Sequence, residues 1–255
     1  SHSLIYKLSH WLIFSFLSII IMLALYFLFL NKQYTSADEL TQVSTGLKTY
    51  LATSQMMGGI LVINTMTLSL GMMGNIVTDL QYHKLDSFLV TPVKRHKIVL
   101  SYYISAILVT VILSLIIWVL TILYVGIASG YWYPVLTILS VSGLLVLFTF
   151  ISTSFMIFLI TLVKSVNAFG TLSGILGTFV GFISGIYMPL FILGGFVKTI
   201  ASVVPFTHMT ILLKQVLLKE PYDLLAKELT SLGAQDSKQI IESMKPLYGS
   251  ENIGI

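Results

Sequence analysis

Residues 98–163 read IVLSYYISAILVTVILSLIIWVLTILYVGIASGYWYPVLTILSVSGLLVLFTFISTSFMIFLITLV, a run of 66 without Lys, Arg, Asp or Glu. About 20 helical residues cross the hydrocarbon core of a bilayer, so this run holds two passes and a turn. The turn is legible as GIASGYWYP at 126–134. Gly and Pro interrupt the helix there, and Tyr131, Trp132 and Tyr133 suit the membrane–water interface. The arms are expected at about 98–125 and 135–163.

Working outward, further uncharged runs cover 8–31, 49–78 and 165–197. The chain of 255 residues is 56% hydrophobic and 9% charged, against roughly 25% charge in a soluble domain. A first span is predicted at 11–30 between Lys7 and Lys32, a second within 51–77, and a fifth at 168–187. Asn64 and Asn75 in the second span need polar partners, so they are expected to face another helix or a polar passage. The loop at 78–97 carries Lys84, Lys94, Arg95 and Lys97 against Asp79 and Asp86, which puts it on the cytoplasmic side. By alternation the 126–134 turn lies outside.

In the fifth span Gly174, Gly177, Gly181 and Gly185 follow Gly170 at steps of three or four. That spacing leaves a face without side chains, open to close approach by another helix. Beyond it, Pro189, Gly194, Gly195, Lys198 and Pro205 break the apolar pieces, and the uncharged stretch at 199–213 is short for a full crossing. It reads as a re-entrant or interfacial helical pair. The expected fold is therefore an all-α polytopic membrane protein with five clear transmembrane helices and a re-entrant pair. A transmembrane permease domain at 1–213 would precede a polar amphipathic, extracytoplasmic tail at 214–255 leading to a missing sixth helix. The alternative counts 199–218 as that sixth span.

Several chemistries are excluded by what the sequence lacks. It contains no cysteine and no Gly-Lys dipeptide, so it offers neither a thiol nucleophile nor a phosphate-binding P-loop. The five histidines form no close ligand set, and the basic residues are spread through membrane loops rather than gathered into a nucleic-acid patch. The first four spans hold no Asp or Glu in their interiors, which argues against proton-coupled transport and for an energy source in a partner.

The segment DLQYHKLDSFLVTPVKRHKIVLSYY, starting at Asp79, resembles the signature region of ABC-2-type exporter permeases, with Leu89, Val90, Thr91 and Pro92 fitting it closely. Lys84-Leu85-Asp86 stands where the family's acidic-Lys-Gly-Thr sequence is usual. SGIYMPLFILGGFVKTIASVVPFTHMTILLKQVLL resembles the later family segment, with Gly185, Pro189 and Pro205 matching its punctuation. The resemblance implies a coupling helix at 80–92 that meets a separate ABC ATPase, with Leu85, Phe88, Leu89, Thr91 and Pro92 as contacts. It also implies a re-entrant segment over the outer mouth, at 190–213.

The resulting functional expectation is a multi-pass permease of the bacterial cytoplasmic membrane, working as a homodimer or heterodimer among membrane lipids. It would export a hydrophobic or amphipathic substrate such as a drug, peptide antibiotic or lipid-linked product. No cofactor would be bound directly, since ATP and magnesium would belong to the partner ATPase, and no nucleic acid is involved. The alternative is a nonenzymatic membrane assembly or immunity protein that binds a hydrophobic ligand without moving it.

Overall fold

The computed structural model describes residues 43–86, 94–163, 165–183, 195–231 and 241–242. Six helices follow one another: α1 (Thr45–Gln81), α2 (Arg95–Ser129), α3 (Val135–Thr161), α4 (Val166–Ile183), α5 (Gly195–Val203) and α6 (Pro205–Ser231). Among the described residues three helices, α1, α2 and α3, are long and apolar enough to cross a membrane. That corrects the expectation of five. The span expected at 11–30 lies outside the described residues. Of the fifth, expected at 168–187, the part up to Ile183 is described, as the 18-residue helix α4, and it is not among the three.

The expected re-entrant pair also differs from what is found. Its second member, α6, is one continuous helix of 27 residues that carries Pro221 inside it. Rather than lying across the outer mouth, α6 packs lengthwise on α1. Pro189 and Gly194 lie outside the described residues, Gly195 begins α5, and Pro205 begins α6. Pro at a first helical position loses no hydrogen bond, because that amide would be an orphan in any residue.

Helix α1 is the axis of the fold and touches α2, α3, α4 and α6. It is buried on all sides, as expected of a helix whose apolar residues show almost no sidedness. Three glycines admit three different neighbours. A Cβ at Gly46 would stand 2.5 Å from the Ser129 carbonyl oxygen of α2, and one at Gly58 would stand 2.6 Å from Cγ of Lys214 in α6. At Gly74 it would overlap the Phe169 ring of α4. Each contact is closer than any side chain allows, so glycine is what sets these helix separations.

Polar side chains fix the register. Asn64 Nδ2 donates to Ser114 Oγ of α2 at 3.3 Å, and Ser69 and Thr153 of α3 share a hydroxyl contact of 2.9 Å. Thr65 and Ser152 lie 3.4 Å apart, oxygen to oxygen. Thus α2 runs antiparallel to α1 while α3 runs alongside in the same direction, and Asn64 has the interhelical partner its burial demands.

The α2–α3 hairpin matches the charge-free run, with α2 extending to Ser129 so that the turn shrinks to 130–134. Gly130 closes α2 with φ 76°, its amide bonded to the Gly126 carbonyl at 3.2 Å in the left-handed cap that glycine adopts without a steric penalty. Lys94 and Tyr131 therefore sit at opposite ends of one apolar helix. With no native cysteine to interfere, single cysteines at these positions are expected to be labelled from opposite sides of the membrane, position 94 from the cytoplasm. Labelling of position 94 from outside would invert the orientation.

Candidate functional site

At its C-terminal end, the one whose loop charge predicts the cytoplasmic side and here called inner, α1 stops at Gln81 and the chain turns through 82–85. His83 takes the left-handed conformation, φ 55°, which is uncommon outside glycine and ends the helical periodicity there. Its ring Nδ1 lies 3.2 Å from the Asp86 carboxylate, both groups being exposed. Tyr82, His83, Lys84 and Asp86 face out while Leu85 turns inward and is 7% exposed. Leu85 is thus an anchor of the loop, and the groups it presents are polar and aromatic. Phe88, Leu89, Thr91 and Pro92 lie outside the described residues.

Asp79 ties this loop to two helices. Its carboxylate accepts the Tyr102 hydroxyl of α2 at 2.7 Å and the Lys84 ammonium at 3.2 Å. Lys84 also stands 5.8 Å from the Tyr82 ring centroid. On the other side Gln81 accepts the Val166 amide of α4 at 2.7 Å. One turn of α1 therefore connects the loop to α2 and α4, and a displacement of the loop would be felt by both. Beside it, Val77, Leu80, Gln81, Ile160 and Val163 line an open cleft of about 230 Å³ between the inner ends of α1 and α3. Leu80 is 52% exposed at this end of the protein.

The outer end is built differently, from aromatic rings. Tyr50 stacks on Tyr131 with centroids 5.8 Å apart and meets Tyr133 edge-on at 5.1 Å, and Trp118 tilts against Tyr133 at 5.3 Å. Such pairs add about 0.5–1.5 kcal/mol each beyond their area burial. The Tyr133 hydroxyl meets Ser54 Oγ at 2.7 Å. Burial pushes the Tyr133 phenol well above its ordinary range, against a smaller downward pull from that hydrogen bond, so it stays a neutral hydroxyl. The turn is thereby clamped onto α1.

The glycine face of α4 is uncovered. A Cβ at Gly170, Gly174 or Gly177 would meet nothing within 4 Å, whereas Gly181 is buried. Gly185 lies outside the described residues. The sequence reading marked this face and missed Gly46, Gly58 and Gly74, where helices do approach closely. Their separations of 12 and 16 residues form no short motif, so only the neighbours reveal them.

Among the described residues no group of three His, Asp or Glu side chains is placed to hold a metal ion. No close match was found among curated proteins or among solved structures. The family profile described as ABC-2 type transporter matches residues 5–218, most of the chain. Apolar helices of membrane length and a match of this extent make the protein a multi-pass membrane protein that belongs to the ABC-2 type transporter family.

Proposed function

We propose that the chain is the membrane-spanning subunit of an ATP-driven exporter for a hydrophobic or amphipathic substrate. The observation that carries this reading is the inner loop at 82–86, exposed on its polar side and fastened through Asp79 and Lys84 to α1 and α2. A separate ABC ATPase would dock on this loop and on residues 87–93 beyond it, with Phe88, Leu89, Thr91 and Pro92 as contacts and Leu85 holding the loop in place. ATP and magnesium would be bound by that partner. Closure of its nucleotide sites would pull the loop and tilt α1 and α2 together, because the hydrogen bonds at Asp79 give a rigid connection.

The open glycines of α4 supply a face for a second permease copy, identical or related, since two backbones can meet there without side chains between them. Residues near Pro205, at the start of α6, would then lie near the path between the two copies, with α6 held against α1. In this reading the helices α2 and α3 present their exposed apolar side chains, such as Leu108, Ile112, Leu139 and Leu147, to lipid.

The test is co-purification with a co-expressed ABC ATPase, followed by reconstitution into vesicles. ATP-dependent efflux of an amphipathic dye that requires both subunits supports the exporter. Stable binding of a hydrophobic ligand with no ATP-dependent movement, and no ATPase capture, favours the nonenzymatic immunity role.

A further inference from the structure

Lys214 is the one charged side chain among the buried polar groups of the described residues, with 3% of its surface exposed. Its depth follows from the way α6 lies on α1. Near the outer end Glu228 accepts the Ser44 amide at 2.6 Å and the Ser44 hydroxyl at 3.1 Å, and Lys214 lies against Gly58. The two helices are thus antiparallel, and each step of 14 residues along one matches 14 along the other. Gly46 meets the last carbonyl of α2, which marks the outer turn. Gly58 is 12 residues further in; because α1 and α2, at 37 and 35 residues, outrun a core roughly 30 Å thick, the Asn64–Ser114 pair near their midpoints marks its middle, and Gly58 lies about 9 Å to the outer side of it, within the core.

An ammonium at that depth is costly to bury, and ionisable side chains inside a membrane protein mark the paths of polar or charged cargo. The glycine opposite is part of the arrangement, since any side chain at position 58 would displace the lysine stem. Thr210 lies one turn before Lys214 on the same face of α6, and Ser54 one turn before Gly58 on α1, both buried. The carboxylates of α6 stand further toward the outer end, with Glu220 six residues on and Glu228 beside Ser44. Among the described residues the middle of the α1–α6 contact therefore holds one ammonium with buried hydroxyls on either side. A lysine ammonium has three N–H donors, so a resting partner inside the protein leaves capacity for a second acceptor.

We propose that Lys214 receives an anionic group of the amphipathic cargo, reached where α6 parts from Gly58 of α1. This rests on the exporter reading and narrows its substrate class to amphiphiles with a sulfate, phosphate or carboxylate head.

The experiment uses the full chain in nanodiscs with two photoreactive probes, a diazirine-bearing dodecyl sulfate and the matching uncharged dodecanol. A charge-assisted contact in the interior is expected to give the sulfate about a tenfold preference. Its crosslinks should map around Gly58 and Lys214. Lys214→Met should bring sulfate labelling down to the level of the alcohol, and Lys214→Arg should retain the preference. Equal labelling of the wild type by both probes overturns the proposal, as does sulfate labelling confined to other helices or unchanged in the Met variant. The wild-type comparison stands even if Lys214→Met fails to fold. ATP-dependent efflux by a wild type that labels equally with both probes would remove the anion site and leave the exporter; sulfate preference without ATPase capture would do the reverse.

Discussion

Phe88→Asp is expected to abolish capture of the ABC ATPase while leaving the permease correctly inserted. In the coupling reading the phenyl ring enters a groove on the partner, as the apolar side of a helix does in helix-in-groove recognition. An aspartate there loses the apolar contact and carries an uncompensated charge into the groove, at a cost of about 3 kcal/mol, or roughly a hundredfold in affinity. Insertion should survive because position 88 lies in the polar loop between α1 and α2, outside both apolar helices. Substrate-stimulated ATP hydrolysis and efflux should fall together with capture, and Phe88→Leu should restore most of both. Full ATPase capture and efflux by Phe88→Asp would remove Phe88 from the contact. Loss of efflux with normal capture would place the defect in the substrate path instead.

The α2–α3 hairpin was legible because two signals agree there, an unbroken absence of charge and a cluster of Gly, Pro and aromatic residues at one point. The extent of α6 was hidden for the opposite reason. Lys214, Lys219, Glu220, Asp223, Lys227 and Glu228 lower its average hydropathy below that of the three spans, while Leu213, Leu217, Leu218, Pro221, Tyr222, Leu225 and Leu229 form a buried side at helical spacing. An amphipathic helix is found by the period of its apolar residues, and a search for uncharged stretches averages that period away. Pro221 reads as a helix stop in the sequence, yet the helix continues through it, as proline permits where surrounding structure satisfies the freed backbone groups.

The helix expected at 80–92 does not run on unbroken from α1 through the loop. A coupling helix at 80–92 assumes that the helical direction holds from Leu80 through Leu85. The helix ends at Gln81, and the left-handed His83 breaks the helical direction before Leu85. Leu80, still within α1, is exposed, while Leu85, beyond His83, is buried. Similarly, Asp79 reads as one acidic charge of a net-positive loop, whereas its role depends on Tyr102, 23 residues away, coming back to it from α2. Such a contact has no local signature in the chain.

Glycines expose the same limit, and they provide the sharpest structural contrast to measure. Gly46→Leu is expected to destabilise the protein severely and Gly174→Leu to leave the isolated permease subunit intact. At position 46 a Cβ would stand 2.5 Å from a backbone oxygen of Ser129, and that oxygen belongs to the end of α2, held by the Gly130 cap and the Tyr50–Tyr131–Tyr133 rings. Relief requires moving α2 or the turn, not a side chain, so overpacking should cost about 3 kcal/mol. At position 174 the space is open. Replacing glycine within a helix there gains about 0.5–1 kcal/mol of helical propensity, which offsets the added exposed apolar side chain. Thermal unfolding in detergent at matched expression should show the first variant losing most of its folded fraction and the second unchanged. If the face of α4 receives a second copy, Gly174→Leu should nonetheless lower the dimer fraction in crosslinking, because four added carbons separate two backbones that only glycine lets meet. An unaltered dimer would move the second copy to another face; equal stability of the two monomers would mean that α1 and α2 are not held at the separation seen here.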